Sequence, residues 1–120
     1  MENKELGIWG EEKAAAFLRR KGYRIVERNY SCRFGEIDII ARKGELICFV
    51  EVKTRKNDDF AEAREFVTYS KQKRIISTAQ LWLLQRNVEL QPRFDVIEVY
   101  APHGASLLHL KINHIEDAFR

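Results

Sequence analysis

The chain has 120 residues, of which 45% are hydrophobic and 32% are charged, and its formal net charge is +3. This length suits a single domain spanning residues 1–120, and the composition is typical of a globular protein rather than a disordered one. No apolar run approaches the roughly 20 residues that a membrane-spanning helix needs, and the first residues do not resemble a signal peptide, so we expect a cytoplasmic protein without membrane attachment.

The first predicted element is a helix over about Lys4–Lys21, which Gly22 would end as a C-terminal cap. Its small and apolar residues recur at spacings of three and four, the pattern of a helix with one buried side. These residues are Leu6, Gly10, Ala14, Phe17 and Leu18. Three strands follow, predicted at 23–30, Glu36–Arg42 and Glu45–Thr54. The turn signal Lys43-Gly44 joins the last two strands into an antiparallel hairpin.

Residues 55–69 are polar and lack periodicity, so they predict a mobile loop with about one helical turn. Ser70 is placed to cap a second helix over Lys71–Asn87. One stripe of this helix is apolar and should be buried; it consists of Ile75, Ile76, Ala79, Trp82 and Leu83. Strands at Phe94–Tyr100 and Leu107–Ile112 complete the pattern, before a short C-terminal turn. The order helix, three strands, helix, two strands predicts an α/β or α+β sandwich.

Neither a disulfide nor a zinc site is expected. Cys48 lies in an apolar run and is predicted to be a small buried hydrophobe, and no pair of Cys or His residues has the spacing of zinc ligands. Basic residues form three clusters, which would suit the binding of phosphates but are also typical of solvated surfaces. The clusters are Arg19, Arg20, Lys21 and Arg24; Lys53, Arg55 and Lys56; and Lys71, Lys73 and Arg74. The residues expected to bind nucleic acid are Arg55, Lys56, Lys71, Lys73 and Arg74.

Two strongly β-forming segments, Gly35–Ile40 and Phe49–Lys53, carry charged residues among apolar ones. Because strand side chains alternate between faces, Glu51 and Lys53 share one face, which is apolar at one end and charged at the other. Such a face is typical of a pocket at the end of a sheet. An ordinary solvent-facing strand would seldom show it.

Asp38 reaches the face of Glu51 only if the predicted hairpin has the right register. Two registers meet this condition, with Arg42 paired to Glu45 or Lys43 paired to Leu46. The second register sets Asp38 directly opposite Glu51. A slip of one residue would send Asp38 to the other face, so we predict one of these two pairings.

Two carboxylates forced together repel each other unless a cation lies between them. Mg²⁺, which prefers oxygen ligands, is the expected cation, and Lys53 would orient or deprotonate the attacking water, or neutralise the reacting phosphate. Glu11 is a further candidate, because it shares a helix stripe with Gly7, Ala14 and Leu18, and a carboxylate on a buried side needs a partner. The spacing of the charged strand residues fits a cross-strand ion pair on an exposed sheet equally well.

Together these residues resemble the PD-(D/E)xK nuclease superfamily, and more closely the YraN-like family of small bacterial proteins, which is similar to archaeal Holliday junction resolvases. The resemblance covers nearly the whole chain. Its landmarks are Gly10-Glu11 with Ala14, Gly35-Glu36-Ile37-Asp38, Phe49-Val50-Glu51-Val52-Lys53, Ser70-Lys71-Gln72 and Arg93-Phe94-Asp95-Val96. It implies a restriction-endonuclease-like fold, in which a central mixed sheet is flanked by helices in the order α-β-β-β-α-β-β.

The resemblance also implies roles for individual residues. The implied site consists of Asp38 and Glu51 as ligands of Mg²⁺ or Mn²⁺, Lys53 as the catalytic lysine and Glu11 as an additional acidic residue. Ile37 stands where the superfamily's label has Pro, a residue that contributes no ligand. Lys71 would contact a phosphate, whereas Asp95 is expected to be a structural ion-pair partner.

The predicted function is that of a Mg²⁺-dependent endonuclease that hydrolyses DNA phosphodiester bonds, with branched DNA among the expected substrates. A nucleic-acid-binding module without catalysis is the alternative, because a nuclease scaffold can be kept for binding alone. A protein-interaction domain fits less well, since an acidic ligand set in basic surroundings has little purpose at a protein interface. A homodimer would suit the cutting of two strands, although the sequence shows no obvious interface.

Overall fold

A five-stranded sheet between two helices organises the chain in a computed structural model that describes residues 3–56, 67–101 and 110–120. The elements are α1 (Asn3–Arg20), β1 (Arg24–Cys32), β2 (Gly35–Lys43), β3 (Leu46–Lys56), α2 (Tyr69–Arg86), β4 (Gln91–Ala101) and β5 (Lys111–Phe119). The strands lie side by side in sequence order; β3 and β4 are parallel, and the other neighbours are antiparallel. The predicted α/β class, the mixed sheet and the order of elements are confirmed.

Each face of the sheet is covered by one helix, so the central strands are buried on both sides. Ala14, Ala15 and Leu18 of α1 pack on one face, and Ile75, Ala79 and Trp82 of α2 pack on the other. This double burial explains why the central strands are nearly continuous apolar runs, such as Ile47–Val50. None of the described helices is both long and apolar enough to cross a membrane.

The hairpin of β2 and β3 has the second of the two predicted registers, with Lys43 opposite Leu46. The turn itself lies at Gly44-Glu45, one residue later than the Lys43-Gly44 signal indicated. The paired ladder ends with Ile39 opposite Val50. Asp38 and Glu51 are the next residue of each strand beyond this last pair, and from there β3 continues alongside β4.

Helix α1 approaches β3 closely at one glycine. A Cβ atom added to Gly10 would lie 1.9 Å from Oγ1 of Thr54, far inside any real contact distance, so only glycine fits there. A Cβ atom on Gly7 would meet nothing within 4 Å, so of these two α1 glycines only Gly10 lies at a close contact. As predicted, α1 ends before Gly22, whose φ is 91° and which therefore serves as the left-handed C-terminal residue.

Helix α2 begins two residues earlier than the sequence suggested. Thr68, not Ser70, is its N-cap, and the Thr68 side chain accepts a hydrogen bond from the Lys71 backbone N–H. The predicted apolar stripe is buried or packed against the core. Of the predicted loop at 55–69, residues 57–66 lie outside the described residues; residues 55–56 belong to β3, and Tyr69 already belongs to α2.

The two last strands also differ from the prediction in their limits. β4 begins at Gln91 rather than at Phe94, and Pro92 is its second residue, an early position where a missing N–H is tolerated. β5 covers Lys111–Phe119, so the short C-terminal turn predicted after Ile112 is wrong. Residues 107–109 of the predicted strand lie outside the described residues.

A buried carboxylate ties β5 to the sheet. Asp95 accepts hydrogen bonds from Arg93 at 2.8 and 2.7 Å, from the Asp117 backbone N–H at 3.0 Å, and it lies 2.8 Å from Nε2 of His114. Asp95 is fully buried, and the predicted structural ion pair is confirmed. Burial alone would raise the pKa of Asp95, but the hydrogen bonds with His114, Arg93 and Asp117 outweigh it and lower the pKa to about 2.

The lowered pKa of Asp95 predicts a pH-dependent contribution to stability. This contribution is fully present above the ordinary aspartate pKa near 3.8 and is lost as the pH falls through about 2, because protonation removes the ion pair. The native chain should be more stable to unfolding than Asp95→Asn at pH 5. At pH 2 this difference in the free energy of unfolding should be smaller by roughly 2 kcal/mol. Denaturant titrations of both proteins across this range measure it; a constant difference would contradict the assigned ion pair.

The contact between Gly10 and Thr54 predicts opposite outcomes for the two α1 glycines. Gly10→Ala should lower the free energy of unfolding by roughly 1–3 kcal/mol, because the added methyl group overpacks the interface with β3. Gly7→Ala, the matched control, should leave stability unchanged or raise it by up to about 1 kcal/mol through helix propensity. Thermal and urea unfolding compare the two variants; an equal effect of both would contradict the packing described.

Candidate active site

A pocket of about 320 Å³ opens where β2 and β3 part. All four residues predicted for catalysis line it, and two further charged residues join them. The charged lining consists of Glu11, Glu36, Asp38, Glu51, Lys53 and Lys71. We call this cavity the acidic pocket, since it holds four carboxylates and two ammonium groups. Its walls come from α1, β2, β3 and the first turn of α2, so it forms only in the folded chain.

Asp38 and Glu51 form the centre of the acidic pocket. Their carboxyl groups are hydrogen-bonded to each other, and Oδ2 of Asp38 also accepts a hydrogen bond from the Val52 backbone N–H at 2.7 Å. Burial raises the pKa of Asp38 well above its ordinary value, and the charge of Glu51 and the hydrogen bond with it add to this effect. The Val52 N–H opposes the rise but does not cancel it. A positive charge close to the two carboxyl groups would therefore stabilise their ionised forms.

Lys71 places one positive charge beside Glu51. Its ammonium nitrogen lies 2.5 Å from Oε2 of Glu51, whose side chain is only 6% exposed. Burial alone would lower the pKa of Lys71, but its hydrogen bond with Glu51 and the nearby charges of Glu51, Asp38 and Glu36 raise it instead. The group is thus held in its charged form. The sequence suggested a phosphate-binding role for Lys71 and did not indicate this contact, which spans the connection between β3 and α2.

Glu11 occupies the α1 side of the acidic pocket. Burial raises the pKa of its carboxyl group, although the charge of Arg28 and a hydrogen bond with Asn29 lower it in part. Asn29 has a left-handed backbone, with φ of 54°, in the middle of β1. Glu36 was not predicted from the sequence as a site residue. Glu36 lies two residues before Asp38, and the alternation of side chains along a strand would have indicated that both are on the same side.

The donor groups of the pocket suit a hard divalent cation rather than zinc. Among the described residues, no group of three or more Asp, Glu, His or Cys side chains is arranged to hold a metal ion. The pair of Asp38 and Glu51 supplies oxygen donors alone, and Mg²⁺ is commonly held by one or two carboxylates while it keeps several waters. The shortage of positive charge at Asp38 is the observation that favours a cation there.

The expected nucleic-acid-binding residues fall into two groups. Lys71, Lys73 and Arg74 lie on the first two turns of α2, where Lys73 and Arg74 are exposed. Arg55 lies elsewhere: it is buried and lies 3.3 Å from the Glu98 carboxylate, which does not suit a surface contact. The side chain of Lys56 lies outside the described residues. Of the residues expected to bind nucleic acid, the exposed ones that the structure describes, Lys73 and Arg74, thus lie in the N-terminal part of α2, and Lys71 of the same part lines the acidic pocket.

Comparison with known proteins finds full-length relatives. A model of the family described as "Uncharacterised protein family UPF0102" matches residues 10–99. A UPF0102 protein of Clostridium perfringens is 46% identical over 119 residues, which cover 98% of this chain and 96% of the relative. A UPF0102 protein of Clostridioides difficile is 47% identical over 120 residues, 99% and 100% of the two chains. One of Chlorobium chlorochromatii is 46% identical over 117 residues, 96% and 91% of the two chains.

The crowding of Asp38 and Glu51 predicts that neutralising one of them stabilises the metal-free chain. Because folding raises the pKa of Asp38, the folded chain loses stability as the pH rises from the pKa of this group in the unfolded chain to its pKa in the folded chain. At pH 8 with a chelator, Asp38→Asn should raise the free energy of unfolding by about 1–3 kcal/mol, because the amide keeps the Val52 hydrogen bond without the repulsion.

Repeating the comparison of the native chain with Asp38→Asn at low pH provides a control. At pH 4 Asp38 is already protonated in the folded chain, so the stabilisation by Asp38→Asn should largely disappear. Glu45→Gln, which neutralises an exposed carboxylate at the hairpin turn, should show no such dependence. A destabilising effect of Asp38→Asn at pH 8 would contradict the described crowding.

Proposed function

The chain belongs to the UPF0102 family, and we propose that it is a Mg²⁺- or Mn²⁺-dependent endonuclease that hydrolyses phosphodiester bonds in DNA, including branched DNA. On this proposal the fold is a member of the PD-(D/E)xK nuclease superfamily. The observation that carries it is the hydrogen-bonded pair of Asp38 and Glu51, which is short of positive charge and lies beside Lys53 in one pocket. Carboxylates and a lysine in this arrangement match the needs of metal-assisted phosphodiester hydrolysis.

Asp38 and Glu51 would hold the cation, one from each strand at the end of the β2–β3 ladder. When bound, a divalent cation polarises a phosphate oxygen and lowers the pKa of the attacking water. A hydrogen bond joins the two carboxyl groups, and the Val52 N–H holds that of Asp38 in position. The protein therefore contributes a rigid pair of oxygen donors that needs little rearrangement.

Lys53 and Glu11 would act on the substrate and the water from two sides of the pocket. Lys53 is half-buried and follows Glu51 by two residues on the same strand, so its ammonium can neutralise charge that develops on the phosphate. Glu11 lies on the α1 side and is a carboxylate whose raised pKa suits the acceptance of a proton from water. Both roles require a substrate in the acidic pocket.

The basic surface at the N-terminal part of α2 supports nucleic acid as the partner. Lys71 lines the acidic pocket, Arg74 follows it after about one helical turn, and the positive end of the helix dipole lies at this end of α2. Exposed Tyr69 lies under the ammonium of Lys73, at 5.0 Å from its ring centre, and offers a ring on which a base can stack. Phosphates bound at this surface would lead the backbone of the substrate toward the carboxylate pair.

A nucleic-acid-binding module without catalysis is the second candidate, and one contact favours it. The ammonium of Lys71 already compensates the charge of Glu51 inside the chain. A binding module would use the basic residues of α2 alone, so its affinity for DNA should weaken steeply with salt and survive Glu51→Gln. The endonuclease should lose cleavage in that variant.

The proposal predicts Mg²⁺-dependent cleavage that depends on the residues of the pocket. Linear, flapped and four-way DNA are incubated with the native chain and with Asp38→Ala, Glu51→Gln and Lys53→Met. Each variant should cut at least roughly 100-fold more slowly, because each removes a charged group from the reacting centre.

Two variants at the far end of the hairpin serve as matched controls. Glu45→Gln and Lys43→Met remove one exposed charge of each sign, remote from the pocket, and should leave the cleavage rate unchanged. Absence of cleavage by the native chain on all three DNA forms would contradict the endonuclease. Cleavage at the native rate by Asp38→Ala would also contradict it, since the activity would then come from another protein.

A further inference from the structure

The side chain of Lys71 can contact either the acidic pocket or the solvent-exposed surface of α2. Its ammonium contacts the buried carboxylate of Glu51, yet 43% of its side chain is exposed. It stands in the first turn of α2, three residues before the exposed Arg74 on the same side of the helix. A lysine side chain has a long flexible stem, so the ammonium can leave the acidic pocket and remain attached to the same surface.

The same oxygen atoms would serve Lys71 and a divalent cation. The Lys71 ammonium lies 2.5 Å from Oε2 of Glu51, and both residues line the acidic pocket that would hold the cation. A cation bound to this carboxylate would repel the ammonium strongly, because few waters separate charges in a half-buried site. Both cannot hold Glu51 in the described geometry, and one must displace the other.

We propose that Lys71 is an exchangeable counter-cation, which pairs with Glu51 until a divalent cation takes its place and then turns outward to bind a phosphate of the nucleic acid. This inference rests on the proposed function, because it takes Glu51 as a metal ligand. It makes Lys71 a positioning residue that links two binding events. Metal binding frees the lysine for DNA, and DNA that holds the lysine outside favours metal binding in return.

Lys53 does not share this behaviour. It belongs to the same strand as Glu51 and to the face of the reacting centre, whereas the ion pair described at Glu51 is made by Lys71 from a different element. The two lysines of the pocket are therefore assigned different tasks. Lys53 stays within the site during the reaction, and Lys71 leaves it when the site is loaded.

The test measures metal affinity without any nucleic acid present. Mn²⁺ is titrated into the native chain, Lys71→Met and Lys73→Met, and free Mn²⁺ is followed by electron paramagnetic resonance. Lys71→Met should bind Mn²⁺ roughly tenfold more tightly, the scale of a charge-assisted hydrogen bond that the metal no longer has to break. Lys73→Met removes an equal charge from the same helix and should stay within about twofold of the native affinity.

Lys71→Gln provides a second variant in case loss of the ion pair disturbs folding. It keeps a hydrogen-bond donor near Glu51 without the charge, and it should also bind Mn²⁺ more tightly than the native chain. The affinity for four-way DNA is then compared with and without Ca²⁺. The native chain should gain affinity when Ca²⁺ is added, and both Lys71 variants should gain less.

The outcomes separate this inference from the proposed function. Equal or weaker Mn²⁺ binding by the folded Lys71 variants would overturn the exchange while leaving the endonuclease intact. Tighter binding by these variants, in a chain that cuts no DNA, would support the exchange and contradict the endonuclease. No binding of Mn²⁺ by the native chain or by the variants would overturn both.

Discussion

The repulsion between Asp38 and Glu51 is the constraint on which the site depends. The two carboxylates follow directly after the last pair of the β2–β3 ladder and are hydrogen-bonded to each other, and burial limits the screening of their charges by water. Their charges cannot both be present without a compensating cation, so the folded chain raises one pKa and directs Lys71 at the other carboxylate. The site is therefore a place where positive charge is gained, whether from a proton, a lysine or a metal ion.

The remainder of the fold supplies the stability and precision that this crowding requires. Two apolar layers bury the central strands, and the contact of Gly10 with Thr54 fixes α1 against β3, next to Glu11. The buried cluster around Asp95 joins β4 and β5 one strand away from the acidic pair, where Asp95 lies opposite Val50 of β3. Unlike the acidic pocket, this cluster surrounds its carboxylate with donors. One fold thus contains a carboxylate whose pKa is lowered by its donors and a carboxylate whose pKa is raised by its neighbour, and the second environment is the one that favours a functional site.

Local patterns in the sequence predicted the features that depend on interactions between residues close together in the chain. Strand alternation and the two-residue turn limited the hairpin to registers that bring Asp38 to Glu51, and the structure has one of them. The start of α2 was missed because Thr68 and Ser70 are equally good caps, and only the packing of the helix selects between them. β5 was misplaced because polar residues follow Ile112, and the burial of Asp95 and His114, which holds that segment in the sheet, is a long-range effect. The contact of Lys71 with Glu51 is long-range as well, and no spacing in the sequence encodes it.

The cost of the acidic pocket bears on the choice between a nuclease and a binding module. A chain that only bound nucleic acid would gain stability by losing the carboxylate of Asp38, and it would also repel phosphates less. Retaining four carboxylates beside a basic surface weakens such binding and destabilises the fold. These costs make physical sense when a divalent cation neutralises the carboxylates at the moment a phosphate enters. The arrangement is therefore better explained by chemistry on a phosphodiester than by affinity alone, because only a cation converts the repulsive pair into a favourable binding site.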